Sequence, residues 1–246
     1  MGKPQIRVFN TLEDLSIAAA EHFTKVVRQA IASRGIAHVA LSGGSTPQRL
    51  FQLLAQDPCR EAVPWEAIHV YWGDERCVPP DDPESNYGQA RRLLLDHVPV
   101  RQEAIHRMRG ELPPEQAAVD FIQTLAQQAE AGRAWTRLDW VLLGMGADGH
   151  TASLFPGQVN PGEDTLPAMA VTADYQGRPA NRVTLTPQVF NDARSVIFLV
   201  TGANKAAVLA SVIKGPRDPL HLPAQRIQPV DGSMTWLVDA AAANSL

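Results

Sequence analysis

The stretch Leu143-Gly144-Met145-Gly146-Ala147-Asp148-Gly149-His150-Thr151 sets a carboxylate two residues before a histidine, among three glycines. A histidine, with an ordinary pKa near ~6.5, is the side chain best matched to accepting a proton at neutral pH. A carboxylate beside it can orient the ring or raise its basicity, and glycines let the chain bend sharply enough to project both groups into a cleft. Gly144 to Gly149 also satisfy G-x-G-x-x-G, but the dinucleotide fingerprint must open a helix. Pro156, Gly157 and Pro161 leave little room for one, and no strand ends in an acidic residue about 20 positions on, since Glu163 and Asp164 fall in a Pro-rich stretch. Proton transfer through His150 and Asp148 is the better reading.

Other segments are suited to holding an anion. In Leu41-Ser42-Gly43-Gly44-Ser45-Thr46-Pro47, paired glycines permit a tight turn and Pro47 suits the first turn of a helix. Free amides at that helix start, with the Ser42, Ser45 and Thr46 hydroxyls, make a phosphate cradle. No Gly-Lys-Ser/Thr follows, which disfavours a nucleoside triphosphatase. In Trp72-Gly73-Asp74-Glu75-Arg76, Arg76 can grip a phosphate or carboxylate bidentately, with Asp74 or Glu75 placed to hold it. In Val200-Thr201-Gly202-Ala203-Asn204-Lys205, a lysine in the first turn of a helix opposes the helix dipole unless an anion is near. Arg182, at the start of Val183-Thr184-Leu185-Thr186, adds another positive group. The other six histidines stand in no such setting. There is no G-x-S-x-G elbow, no cysteine beside a histidine, and no H-E-x-x-H or comparable metal cluster, so the chemistry expected is a protein-activated water or a proton transfer without metal or cofactor.

The elements that must position these residues alternate along the chain. Strands are predicted at Ile6–Phe9, His38–Leu41, Ile68–Trp72, Leu138–Leu143, Arg182–Leu185, Val196–Thr201 and Thr235–Val238, several of them apolar on both faces. Apolar residues from Leu15 to Ile31 keep a 3.6-residue period, with Gly35 as the stop, and further helices are predicted at Pro47–Gln56, Asn86–His97, Pro114–Ala131 and Ala203–Ile213. Pro79–Ser85 and Pro156–Pro167 interrupt the rhythm as surface loops. Strand–helix alternation predicts an α/β fold with a mainly parallel sheet covered on both sides, whose ligands gather where strands end and helices begin. The absence of repeats or a linker favours one domain over residues 1–246.

Composition narrows the class. The 246 residues are 45% hydrophobic and 20% charged, which is ordinary for a globular chain. A formal charge of -4 argues against a general nucleic-acid or anionic-membrane binder while leaving room for one local anion site. Cys59 and Cys77 form no framework, though a lone disulfide between them stays open. The opening MGKPQIRVFN lacks the apolar core of a signal peptide, and Val196 to Val200 is far shorter than the ~20 residues of a membrane span. A cytoplasmic protein is expected.

These blocks together carry a family resemblance. LSGGSTP (41–47), WGDER (72–76), SNYG (85–88), LLGMGADGHTASLFPG (142–157), RVTLT (182–186) and VTGANKA (200–206) resemble the 6-phosphogluconolactonases, within a broader group that includes the glucosamine-6-phosphate deaminases. The resemblance implies a Rossmann-like three-layer α/β/α fold and hydrolysis of 6-phospho-D-glucono-1,5-lactone to 6-phosphogluconate in the oxidative pentose phosphate pathway. It implies that Ser42, Gly43, Gly44, Ser45, Arg182 and Lys205 hold the substrate phosphate, and that Arg76, Asp148 and His150 serve the reacting end. The only partner implied is the small sugar-phosphate lactone, and the chain is expected as a monomer or weak homo-oligomer. Deaminases resemble DGHIAFNEP where this chain has DGHTASLFP, so the acidic residue linked to sugar-ring opening is Phe155 here. A lactone opens by expelling its alkoxide and needs no such residue, which favours the lactonase. A deaminase or isomerase, or a non-catalytic sugar-phosphate sensor, is the alternative.

Overall fold

A computed structural model describes residues 4–159 and 162–246. Nine strands run as β1 (Gln5–Phe9), β2 (Ala37–Leu41), β3 (Ile68–Trp72), β4 (Asp74–Arg76), β5 (Trp140–Gly144), β6 (Ala168–Thr172), β7 (Asn181–Leu185), β8 (Ser195–Val200) and β9 (Ser233–Asp239). The α-helices are α1 (Leu12–Arg34), α2 (Pro47–Leu54), α3 (Cys59–Ala62), α4 (Asn86–Leu93), α5 (Pro114–Gln127), α6 (Pro187–Asp192) and α7 (Ala206–Lys214). Six strands form one parallel sheet in the order β1-β9-β8-β5-β2-β3, and β4-β7-β6 form a small antiparallel sheet.

Successive residues of the central strands belong to two different cores. Val141 and Leu143 of β5, with Val196, Phe198 and Val200 of β8, pack with Phe121 and Leu125 of α5 and Leu209 of α7. Trp140 and Leu142, with Ile197 and Leu199, pack with Leu15, Phe23 and Val27 of α1 and Leu50 of α2. A sheet buried on both faces needs strands that are apolar throughout, which is why these segments read as continuous runs rather than alternating ones. The expected α/β/α layering therefore holds.

Local signals set the helix ends. Thr11 caps α1, its Oγ1 accepting from the Asp14 N–H at 3.0 Å, and the Gly35 N–H closes it on Ile31 O at 2.7 Å. The segment expected as one helix over Asn86–His97 stops at Leu93, because Leu94 leaves helical backbone geometry, and a 3-10 turn follows at Leu95–His97. Likewise α7 starts only at Ala206, after a 3-10 turn at Ala203–Lys205. Cys59 and Cys77 are both free and half-buried. In the expected loop over Pro156–Pro167, residues 160 and 161 lie outside those described.

The sequence expectation departs most at Arg182–Leu185. This strand exists, as β7, but pairs antiparallel with β4 and β6 instead of joining the parallel sheet. The chain leaves β3 through Gly73, whose N–H donates to Leu41 O and whose carbonyl accepts from Leu185 N–H, both at 2.8 Å. Gly73 thus hands the chain from the main sheet to the small one. The result is that Arg76 and Arg182 stand opposite each other beside the carboxyl ends of β2, β5 and β8.

Candidate active site

The carboxyl ends of β2, β5 and β8, with the small sheet as one wall, enclose a cleft of about 270 Å³. Ser42 to Ser45, Arg76, His150, Arg182 and Lys205 all line it. Of the residues singled out from sequence, Asp148 lies outside its wall, one contact behind His150, and so does Glu75.

Asp148 Oδ1 accepts the His150 backbone N–H at 3.1 Å and the ring Nδ1 at 2.6 Å. A carboxylate can only accept, so Nδ1 carries a proton whether the ring is charged or neutral, and in the neutral ring the lone pair is on Nε2. Burial alone would raise the Asp148 carboxyl. The hydrogen bond from His150 and its charge outweigh that effect and leave Asp148 below the usual carboxylate range. Gly146 makes the pair possible: a Cβ there would lie 2.1 Å from Nδ1 and 2.6 Å from Asp148 Oδ1. Thr151 fixes the far end of the loop by donating its hydroxyl to Gly144 O at 2.8 Å.

The β2–α2 turn forms the opposite wall. Pro47 begins α2, and Thr46 Oγ1 lies 3.1 Å from Thr201 Oγ1, joining this turn to the β8–α7 turn. A Cβ on Gly43 would meet Asn86 Oδ1 at 1.7 Å, so the close approach of α4 requires glycine there. Asn86 is itself held by its Nδ2, which donates to Asp74 O at 2.8 Å. Lys205 is half-buried at the start of α7. Burial lowers its ammonium pKa, and the Asp239 charge opposes that effect in part. The Asp239 carboxylate is itself occupied by the Gly202 and Ala242 N–H groups.

Arg182 is 3% exposed, and its Nε and Nη2 have no hydrogen-bond partner among the described residues. Its guanidinium carbon lies 5.3 Å from the centre of the Phe155 ring. Burial lowers its pKa from the usual arginine value, with Asp74 pulling the other way. A buried, under-satisfied guanidinium is costly unless an anion completes it.

Neither acid expected to hold Arg76 reaches its guanidinium. Alternation along β4 turns Glu75 away from the cleft and toward α4. Its carboxylate accepts the N–H groups of Arg76, Asn86 and Tyr87 and the Ser85 hydroxyl, at 2.7–3.0 Å. Burial pushes Glu75 up to about 7 despite those donors. Asp74 faces the cleft and accepts the Ser153 hydroxyl at 2.6 Å. Arg76 is held from the 79–85 loop, its Nη1 donating to the Glu84 carbonyl at 2.6 Å.

Sequence reasoning missed Tyr175 and Arg178, which line the cleft from the β6–β7 hairpin. The one local signal was Gln176-Gly177. Both residues have positive φ (52° and 67°), the geometry of a two-residue hairpin turn that gathers Tyr175 and Arg178 side by side. Among the described residues, no group of three or more His, Cys, Asp or Glu is arranged to hold a metal ion, and no helix is long and apolar enough to cross a membrane.

A glycine-rich turn, buried cations and a histidine–carboxylate pair at the carboxyl edge of a parallel sheet define an α/β protein whose cleft is suited to an anionic ligand and to proton transfer. More narrowly, the chain belongs to the family described as glucosamine-6-phosphate isomerases/6-phosphogluconolactonase, which it matches over residues 10–236. It is 42% identical to the 6-phosphogluconolactonase of Synechocystis over 246 residues, covering 99% of this chain and 98% of that protein. It is also 42% identical to that of Haemophilus influenzae over 209 residues, covering 85% and 87%. Among solved structures, the 6-phosphogluconolactonase of Trypanosoma brucei superposes with a TM-score of 0.85 at 29% identity, covering 100% of both chains.

Proposed function

We propose that this protein hydrolyses 6-phospho-D-glucono-1,5-lactone to 6-phosphogluconate, the lactone-opening step of the oxidative pentose phosphate pathway, as one α/β unit over residues 1–246 working in the cytoplasm. Its relatives' names support the reaction, and the cleft supports the division of labour. The observation that carries it is the His150–Asp148 pair, with Nε2 free, at one end of a cleft whose other cationic groups suit a phosphate.

In this reading the Ser42–Ser45 amides, Arg182 and Lys205 hold the phosphate and so fix the lactone carbonyl near His150. His150 Nε2 takes a proton from water as the water oxygen bonds to C1. The electron pair of the carbonyl moves to its oxygen, and Arg76 or nearby amides stabilise that oxyanion. On collapse the C1–ring oxygen bond breaks, and the His150 imidazolium returns its proton to the departing alkoxide. Asp148 keeps the imidazole in the tautomer that does this. Phe155 stands where a deaminase has its ring-opening acid, and it is buried against His150.

The test is hydrolysis of freshly prepared lactone, corrected for its spontaneous rate, alongside ammonia release from glucosamine 6-phosphate. Acceleration of the first and none of the second is expected. Ammonia release without lactone turnover overturns the proposal in favour of a deaminase, and binding of 6-phosphogluconate with no acceleration overturns it in favour of a sensor.

A further inference from the structure

Two aromatic rings flank the His150 imidazole. Phe155 approaches to 4.9 Å between centroids, tilted by 34°, and Tyr175 to 4.7 Å at 75°, nearly edge-on. The two rings also meet each other at 5.6 Å. Phe155 comes from the same loop as His150. Tyr175 arrives from the distant β6–β7 hairpin, so its position depends on how that hairpin is held.

The tip is braced rather than loose. Tyr175 and Arg178 form an isolated bridge across the turn, with Arg178 N–H donating to Tyr175 O at 3.0 Å. Arg178 Nη1 donates to both carboxylate oxygens of Glu84, at 3.0 and 2.8 Å. The Glu84 carbonyl takes Arg76, so one residue anchors both the hairpin tip and the arginine at the reacting end.

An imidazole on a glycine-flanked loop has two nearly equivalent ring orientations. Only one of them keeps Nδ1 on Asp148. The 2.6 Å bond favours it, yet the Nδ1–H tautomer persists only while the ring stays in that orientation. A second ring against the imidazole removes the room in which it would turn.

We propose that Tyr175 is a positioning residue for His150: its ring, braced by the Arg178–Glu84 pair, holds the imidazole with Nδ1 on Asp148 and Nε2 facing the cleft. The inference rests on the reading of His150 as the general base. It concerns the ring of Tyr175 and not its hydroxyl.

Lactone hydrolysis by Tyr175→Ala, Tyr175→Phe and His150→Ala is the test, with ¹⁵N spectra of the imidazole nitrogens. Tyr175→Ala is expected to lower kcat about tenfold with KM changed less than about threefold, and Tyr175→Phe to restore kcat to within about twofold. The spectra should show a fixed Nδ1–H tautomer in the wild type and Tyr175→Phe, and an averaged one in Tyr175→Ala. Arg178→Gln, which loosens the tip without removing a ring, should shift the tautomer mixture the same way should Tyr175→Ala fail to fold. An unshifted spectrum in the folded variants, an unchanged kcat in Tyr175→Ala, or equal losses in Tyr175→Ala and Tyr175→Phe overturns the inference. Full activity in His150→Ala would overturn the general-base reading instead, and the spectra would still report whether Tyr175 orients the ring.

Discussion

Arg76 and Arg182 are register partners in the β4–β7 ladder, so two guanidinium-bearing side chains leave the small sheet directly opposite one another on the wall of the cleft. Like charges in that position are destabilising. Asp74 and Glu84 temper the repulsion, but Arg76 Nε and Arg182 Nε and Nη2 have no hydrogen-bond partner among the described residues. The fold thus holds a positive site that is most stable when an anion shares it.

That imbalance makes ligand binding visible as stability. Inorganic phosphate and 6-phosphogluconate should each raise Tm in a concentration-dependent way, as any ligand of the folded state does. Arg182→Gln should reduce the gain and raise KM roughly ten- to a hundredfold, the loss expected for charge-assisted hydrogen bonds. Differential scanning fluorimetry with steady-state kinetics checks this. Equal Tm gains in wild type and Arg182→Gln would remove Arg182 from the phosphate site.

His150→Ala should lower kcat by about 10²–10⁴ with the fold and phosphate affinity retained, the usual contribution of a general base. Asp148→Asn should move in the same direction, because an amide placed at 2.6 Å no longer guarantees an acceptor for Nδ1. Near-full turnover in His150→Ala rules out the mechanism.

Two glycine variants test whether binding and turnover reside in different loops. Gly146→Ala puts a methyl 2.1 Å from His150 Nδ1, and Gly43→Ala puts one 1.7 Å from Asn86 Oδ1. The first should depress kcat at least tenfold with KM nearly constant, because it moves the base and spares the cradle. The second should act mainly on KM, because the Ser42–Ser45 turn must shift to admit the methyl. Kinetics on the two variants, read as separate kcat and KM changes, decide the point. A swap of the two patterns would place the roles of the loops the other way round.

What was legible in the sequence follows from where each residue sits. The central strands declare themselves because burial on both faces leaves no polar position in Val39–Leu41 or Val196–Val200. His150, Lys205 and the Ser42–Ser45 turn were legible because each follows the end of such a strand, and Arg182 because it opens the apolar run of β7. Of the small sheet only β7 was legible, and its antiparallel partners were not. Three charged residues, Asp74-Glu75-Arg76, carry no strand period, and only pairing with β7 makes them one. Ala168–Thr172 went unrecognised for a related reason, since its identity rests on its partners in β7. Tyr175 and Arg178 follow from that gap: without the β6–β7 hairpin, nothing in their local sequence brings them to His150.

Stability should depend on pH through a second histidine group, away from the cleft at the amino-terminal ends of β2 and β3. His69 Nδ1 lies 2.8 Å from His106 Nε2, and Tyr71 Oη lies 3.3 Å from His38 Nδ1. Burial lowers all three histidines, His38 and His106 to about 4, and the cations Arg34, Arg194 and Arg101 act in the same sense against Glu103. Asp139 also faces the group and accepts the His38 N–H at 2.9 Å. A base with a folded pKa below its unfolded value takes up protons more readily once unfolded. Stability is therefore intact above about pH 6.5 and drains away as pH falls toward 4. Glu75, pushed up to about 7, favours the folded state increasingly over the same window and works against the histidines, so the check is a difference. In thermal melts from pH 7 to pH 4.5, the Tm of His106→Gln, which keeps a partner for His69, should gain on that of the wild type toward the acid side. Parallel Tm–pH curves would assign the acid sensitivity elsewhere.

Lys205 offers a trade between affinity and stability. It closes the 3-10 turn at Ala203–Lys205 and immediately precedes α7, where a positive charge opposes the helix dipole, and it is half-buried. The Asp239 carboxylate eases that cost but is already committed to two backbone N–H groups, those of Gly202 and Ala242. Lys205→Met keeps the apolar stem and removes the charge. If Lys205 holds the phosphate as proposed, KM should rise about tenfold or more with kcat at saturation changed little, because a group remote from the reacting carbon binds equally in ground and transition states. At the same time Tm without ligand should rise by up to a few degrees, since about 0.3–1 kcal/mol of unfavourable dipole interaction is relieved. The two changes have opposite sign and a single physical origin. A lower Tm with KM unchanged would mean that Lys205 holds the α7 turn together and leaves the phosphate to other groups.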